Sequence, residues 1–140
     1  MEIQALTIEQ MQELIDMGID ISSASCIWWN FAEIGFALMF LNDGRESLTI
    51  EKMKKNHGAE NVVPAFTLQD ILKLLPHTLE FKDVYGNTHF EYIEFWGDGW
   101  NQMAVVNPAY PSSPRITTSN ISPLRSAFEM LKWCKENNYI

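Results

Sequence analysis

The side chains available for covalent or acid–base chemistry in this 140-residue chain are the Cys26 thiol and the imidazoles of His57, His77 and His89. A thiol nucleophile needs a base within hydrogen-bond reach, so the pairs to weigh are Cys26 with each histidine. No spacing singles out one pair, and a catalytic thiol needs an electropositive setting that an acidic chain does not advertise. Cys26 falls in a predicted strand and Cys134 in a predicted helix; both read as small apolar core residues, with the histidines facing solvent. Glu91, Glu94 and Asp98 are the carboxylates close enough in sequence for paired acid–base or glycosidic work. Glu91 and Glu94 are three apart in a predicted strand, however, so they point to opposite faces and read as solvated charges. No Cys-x-x-Cys, His-x-x-x-His or calcium-loop spacing occurs, so no metal site is expected. Gly97-Asp98-Gly99 lacks the helix start and the lysine of a phosphate-binding loop. These residues supply no catalytic constellation and no cofactor site, and the balance leans away from an enzyme.

The feature that rises above a generic domain is the aromatic load: Trp28, Trp29, Trp96, Trp100 and Tyr110, with Trp96 and Trp100 flanking one turn. Rings at a sheet face or rim suit a protein partner or a planar ligand, because they give large contact area at small entropic loss. The competing reading is that they fill the core. That reading is the stronger one for Trp28 and Trp96 and is evenly balanced for Trp100, at a hairpin end. The candidate interaction surface is therefore Trp100, Trp29, Asp98 and Tyr110.

Ten basic and 18 acidic side chains give a formal net charge of −8, which repels phosphate backbones and disfavours direct nucleic-acid binding. The one basic run, Lys52-Met53-Lys54-Lys55, reads as a solvated helix face. No run approaches the 18 apolar residues needed to cross a bilayer, and Met1-Glu2-Ile3-Gln4 lacks the pattern of a secretory signal. The expectation is a cytoplasmic protein without disulfides and without a membrane partner. Asn120-Ile121-Ser122 matches a glycosylation acceptor but reads as helix-start chemistry.

The elements that must position these residues follow from local patterns. Leu6–Met11 reads as a helix start, with Thr7 capping, Gln10 closing the capping box and Leu6 stapled to Met11. Ile8, Met11, Leu14 and Ile15 form a stripe, and Gly18-Ile19 supplies the stop, predicting a helix over about 8–17. Residues 25–41 hold two short apolar runs divided by Ala32-Glu33-Ile34-Gly35. A hairpin is the leading reading, because Trp-Trp and Gly35 fit a turn-divided sheet; a single buried helix through 32–41 is the alternative. Asn42-Asp43-Gly44-Arg45 reads as a turn; Leu48–Met53 then nearly repeats the Leu6–Met11 helix start, and a short helix is predicted to about Asn56, stopped by Gly58. Thr67 and Asp70 start a further helix, with a Leu68, Ile71, Leu72, Leu75 stripe, bounded by Pro64 and Pro76.

An antiparallel meander is predicted over Thr78–Lys82, His89–Trp96 and Asn101–Asn107, with turns at Tyr85-Gly86-Asn87 and Gly97-Asp98-Gly99. The Pro/Ser-rich stretch 107–114 should be irregular, with a short edge strand within Arg115–Thr118. Ser122 caps a final helix with Pro123 at its first position and Leu124, Ala127, Phe128, Leu131 and Cys134 inward, widened by Met130 and Trp133. Asn137 or Asn138 ends it, and the apolar C-terminus tucks back. Together these elements predict a single α+β domain over 1–140: an antiparallel sheet of about five strands, in two hairpin or meander units, with three to four helices packed on one face.

Three phrases, LTIEQMQELIDMGIDISSAS, VVPAFTLQDILKLLP and SAFEMLKWCKENNYI, resemble a family of short proteins of uncharacterised activity encoded by anaerobic gut bacteria and their phages or integrated elements. They cover about one third of the chain, in the family's order. The resemblance implies a phage or mobile-element accessory protein and brings no catalytic residues with it. The function expected is a non-enzymatic, acidic protein-interaction module, an inhibitor, regulator or accessory factor. The alternative is a small hydrolase or ligand-binding enzyme with a pocket between helices and sheet. The oligomeric state is not legible from the sequence.

Overall fold

The structure is a computed structural model that describes residues 4–31, 35–41 and 49–140. The turn expected at Asn42-Asp43-Gly44-Arg45 and the divider Ala32-Glu33-Ile34 lie outside the described residues. The chain splits into two compact units, Met1–Asp70 and Ile71–Ile140. The architecture is α+β, with four helices and two antiparallel sheets of three and four strands among the described residues. The strands thus outnumber the expected five, and they divide between two sheets where the sequence reading placed them in one.

The first unit opens with α1 (Ile8–Asp16). Its capping box is complete: Gln10 N–H donates to Thr7 Oγ1 and Thr7 N–H to Gln10 Oε1. Its end is a Schellman closure, with Gly18 N–H donating to Ile15 O and Ile19 N–H to Leu14 O. That geometry needs the left-handed φ of +81° at Gly18, which glycine adopts without steric cost. Met11 and Leu14 are buried, whereas Ile15 of the expected stripe is exposed.

The two apolar runs of residues 25–41 are paired strands, as the hairpin reading expected, and not a helix. β1 (Cys26–Phe31) pairs antiparallel with β2 (Gly35–Phe40), with Trp28 opposite Leu38. Beyond a helix α2 (Ile50–His57) and a 3-10 turn at 59–61 comes β3 (Val62–Ala65), which pairs with the other edge of β1 and gives the order β2-β1-β3. The sequence reading missed β3 because Pro64 argues against a strand; at a sheet edge, proline's missing N–H is tolerated. Ile27, Leu41, Met53 and Val62 form a buried cluster, against which Trp29, Met39 and Ile50 pack. Trp28 directs its indole N–H to Leu6 O at 2.9 Å.

α3 (Leu68–Leu74) begins with a second reciprocal cap, Thr67 with Asp70. Asp70 Oδ2 also accepts from Ser25 N–H and Ser25 Oγ, so one buried carboxylate fastens the start of α3 to the residue preceding β1.

The second unit is the meander β4 (Thr78–Lys82), β5 (Thr88–Trp96) and β6 (Gln102–Val106), extended by the two-residue β7 (Ile116–Thr117) in the order β4-β5-β6-β7. Asp83 shapes the β4–β5 turn by accepting from Tyr85 N–H and Asn87 N–H while pairing with His89 at 2.8 Å. α4 (Pro123–Glu136) starts at Ser122, whose Oγ accepts from Arg125 N–H, and packs against β6 through a stripe that includes Ala127, Phe128, Leu131 and Cys134. Asn138 at φ +61° closes it with Tyr139 N–H donating to Cys134 O, and the Tyr139 ring folds back onto Trp133.

Candidate functional site

The thiols and two of the imidazoles stand where the sequence reading placed them, the thiols inside and His57 and His77 exposed. Cys26 and Cys134 are both buried. Burial pushes the Cys26 thiol up, with the Asp70 charge adding to it and a hydrogen bond to Ser25 opposing it. Burial alone carries Cys134 to about 12. Neither thiol presents a thiolate near neutral pH. His57 leans on the Trp29 ring, centroids 4.7 Å apart. His89 stacks on Phe81 and pairs with Asp83, whose carboxyl is drawn down to about 2 by His89 first and then by the turn N–H groups. Among the described residues no group of three or more His, Cys, Asp or Glu could hold a metal ion, and no helix is long and apolar enough to cross a membrane.

Glu91 and Glu94 do point to opposite faces of β5, but only Glu94 is a solvated charge. Glu91 is 3% exposed, with Arg115 Nε 2.7 Å from its Oε1. That oxygen accepts no aligned hydrogen bond, so the contact is charge pairing. The Arg115 guanidinium lies 4.9 Å from the Phe81 ring centroid, 5.2 Å from that of Trp133 and 5.9 Å from that of Tyr139, and donates to Tyr139 Oη. This cage ties β4, β5, the segment before β7 and α4 into one structural centre. The sequence reading missed it, because nothing in the spacing joins residue 91 to residue 115.

Of the four residues assigned to an interaction surface, Trp29 belongs to the first unit and is half-buried on its core cluster. Asp98 and Trp100 share the 3-10 turn between β5 and β6, and Trp100 takes a left-handed φ of +56°. Trp100 and Tyr110 are 65% and 68% exposed, yet they lie in different connections, Trp100 in the turn before β6 and Tyr110 in the loop after it. The exposed rings that do adjoin are on the outer face of β5. Phe90 and Tyr92, 55% and 45% exposed, are two residues apart and so project to the same side. Glu80 lies directly opposite Phe90 on β4, Thr78 opposite Tyr92, and Glu94 continues the row along β5. Lys82, opposite Thr88, closes the turn end of this face. Both rings were visible in the sequence as sheet residues; the signal for their exposure is the alternation Phe90, Tyr92, Glu94, which the charge at Glu91 obscures.

The first unit also carries a cavity of about 420 Å³, whose lining includes Asp20, Ser22, Thr49, Glu51, Lys54 and Pro64. Among the described residues its lining holds neither thiol nor imidazole, and the Asp20 carboxyl, drawn down by the Ser22 N–H and hydroxyl, is engaged in its own turn. No protein-family model, curated protein or solved structure matches this chain.

Proposed function

We propose that this chain is a non-enzymatic, acidic protein-interaction module that holds a lysine- or arginine-bearing segment of a protein partner on the outer face of β5. In keeping with the sequence resemblance, it acts in the cytoplasm as an accessory factor, inhibitor or regulator of a phage or mobile element. The observation that carries the reading is the row of Phe90 and Tyr92 bordered by Glu80 and Glu94, on a chain of net charge −8. Two large rings left in water lose contact area that a partner regains. The aliphatic stems of Lys and Arg cover such rings while their charged heads reach the carboxylates. The net charge steers a basic partner toward the surface and turns nucleic acid away.

Pull-down from the native host with the full chain tests this, run beside Phe90→Ser/Tyr92→Ser and Glu80→Lys/Glu94→Lys. The partner recovered with the unaltered chain is then titrated against all three. Binding to either variant should weaken at least about tenfold, and binding to the unaltered chain should weaken as salt rises. Recovery of no specific protein, or equal binding by all three, refutes the reading.

A further inference from the structure

Sheet proteins close their edges, because a row of unpaired N–H and C=O groups is a template for another strand. In the second unit, β4 carries Glu80 and Lys82 and β7 is two residues long; in the first, β3 carries Pro64. β2 has none of these devices. It is six residues, Gly-Phe-Ala-Leu-Met-Phe, without charge or proline, and among the described residues it pairs only with β1.

The ladder tells which groups face outward. Leu41 N–H donates to Ser25 O at 3.0 Å, so Ser25 and Leu41 form a hydrogen-bonded pair in the register that sets Cys26 opposite Phe40. Such pairs alternate along an antiparallel ladder, which makes Ile27–Met39 and Trp29–Ala37 hydrogen-bonded too. Phe36, Leu38 and Phe40 therefore aim their N–H and C=O groups away from β1. Their side chains share one face, and Phe36 and Phe40 are 42% and 45% exposed.

We propose that β2 is a self-association edge, on which a second copy of this chain pairs antiparallel with Leu38 opposite its own counterpart and Phe36 of each copy opposite Phe40 of the other. Three observations select this occupant. Phe36-Ala37-Leu38-Met39-Phe40 reads nearly the same in both directions about Leu38, so a twofold axis there opposes like with like. That register sets each outward-facing residue opposite another, so the Phe36–Phe40 and Leu38–Leu38 pairs each exchange two main-chain hydrogen bonds, with Ala37 and Met39 opposed between them. The strand is uncharged on a chain of net charge −8, so two copies meet here without like charges directly opposite. The result is one six-stranded sheet with two cross-strand phenylalanine pairs.

Sedimentation equilibrium of the full chain from micromolar to near-millimolar concentration tests the pairing. The mass should rise from that of the 16.1 kDa chain to twice that value. Phe36→Lys with Phe40→Lys sets lysines opposite at both crossings and should weaken association at least about tenfold. Phe36→Lys with Phe40→Glu sets opposite charges at the same crossings and should recover about tenfold from there. Leu38→Pro removes only an outward N–H and should leave a folded monomer by circular dichroism, which guards against loss of fold in the lysine variant. A chain that stays monomeric throughout overturns the proposal. So does association indifferent to Leu38→Pro, or equal weakening by the two charge variants. A monomer whose β2 resonances shift on adding an unrelated extended peptide assigns the edge to a foreign strand, again against self-pairing.

Discussion

Removing the Arg115 side chain tests how far the second unit depends on one buried charge. Glu91 is almost wholly enclosed, and its charged neighbour at 2.7 Å is Arg115, itself 34% exposed. Truncating one partner of a buried pair costs about 3–5 kcal/mol, because the other charge is left uncompensated; the exposure of Arg115 sets the expectation for Arg115→Ala near the lower end, about 3 kcal/mol. The main-chain bond from Arg115 N–H to Val105 O survives the change, so β7 keeps its register. Arg115→Lys retains the charge but loses the planar stack within Phe81, Trp133 and Tyr139, and should cost about 1–2 kcal/mol. Arg115→Leu with Glu91→Leu removes both charges in favour of apolar volume and should return to within about 1 kcal/mol of the unaltered chain. Urea unfolding followed by tryptophan fluorescence reads all three, with Trp133 as the local reporter. If Arg115→Ala costs less than about 1 kcal/mol, or the paired leucine variant is no more stable than Arg115→Ala, the cage is not the centre argued here.

Three further outcomes follow from other buried or paired groups. Asp70→Ala leaves the N–H groups of Ser25 and Thr67 without their acceptor and should lower stability by about 2–4 kcal/mol in urea, with Asp70→Asn recovering part of it through its remaining oxygen. The Asp83 carboxyl is held at about 2 against an ordinary 3.8, so its contribution to stability is complete above about 4 and is lost as pH falls toward 2; Asp83→Ala should flatten acid unfolding in that window. Cys134 is raised to about 12 from 9.0, so the unfolded chain loses its proton first and stability should fall as pH climbs through 9. A thiol reagent at pH 8 should find both cysteines only after unfolding.

The parts legible in the sequence are those set by neighbours along the chain. Thr7 with Gln10, Gly18 with Ile19, Ser122 with Pro123 and Asn138 all declare helix ends through groups within a few residues, and the structure places each as expected. The meander was legible for the same reason, since alternation and glycine turns are local. What escaped depends on partners far along the chain. Pro64 cannot announce that its strand lies at an edge of β1, and Glu91 cannot announce a cation 24 residues away. Phe90 and Tyr92 have the composition of core residues, and their exposure is signalled only by the alternation through Glu94 and by Glu80 lying opposite Phe90. For aromatic residues in sheets, type gives burial propensity, but register decides which face each ring receives.

The two surfaces proposed here respond to the same charge in opposite senses, which separates them in one experiment. The outer face of β5 draws a basic partner partly through the net charge of −8, so added salt screens the attraction and weakens docking. The β2 edge carries no charge, and what opposes two copies meeting there is the repulsion between two acidic chains. Salt screens that repulsion, so self-association through β2 should strengthen as ionic strength rises. A single salt series followed by both assays therefore distinguishes an edge closed by a second copy from a face that recruits a cation. If both affinities move in the same direction, at least one of the two surfaces has been assigned the wrong occupant.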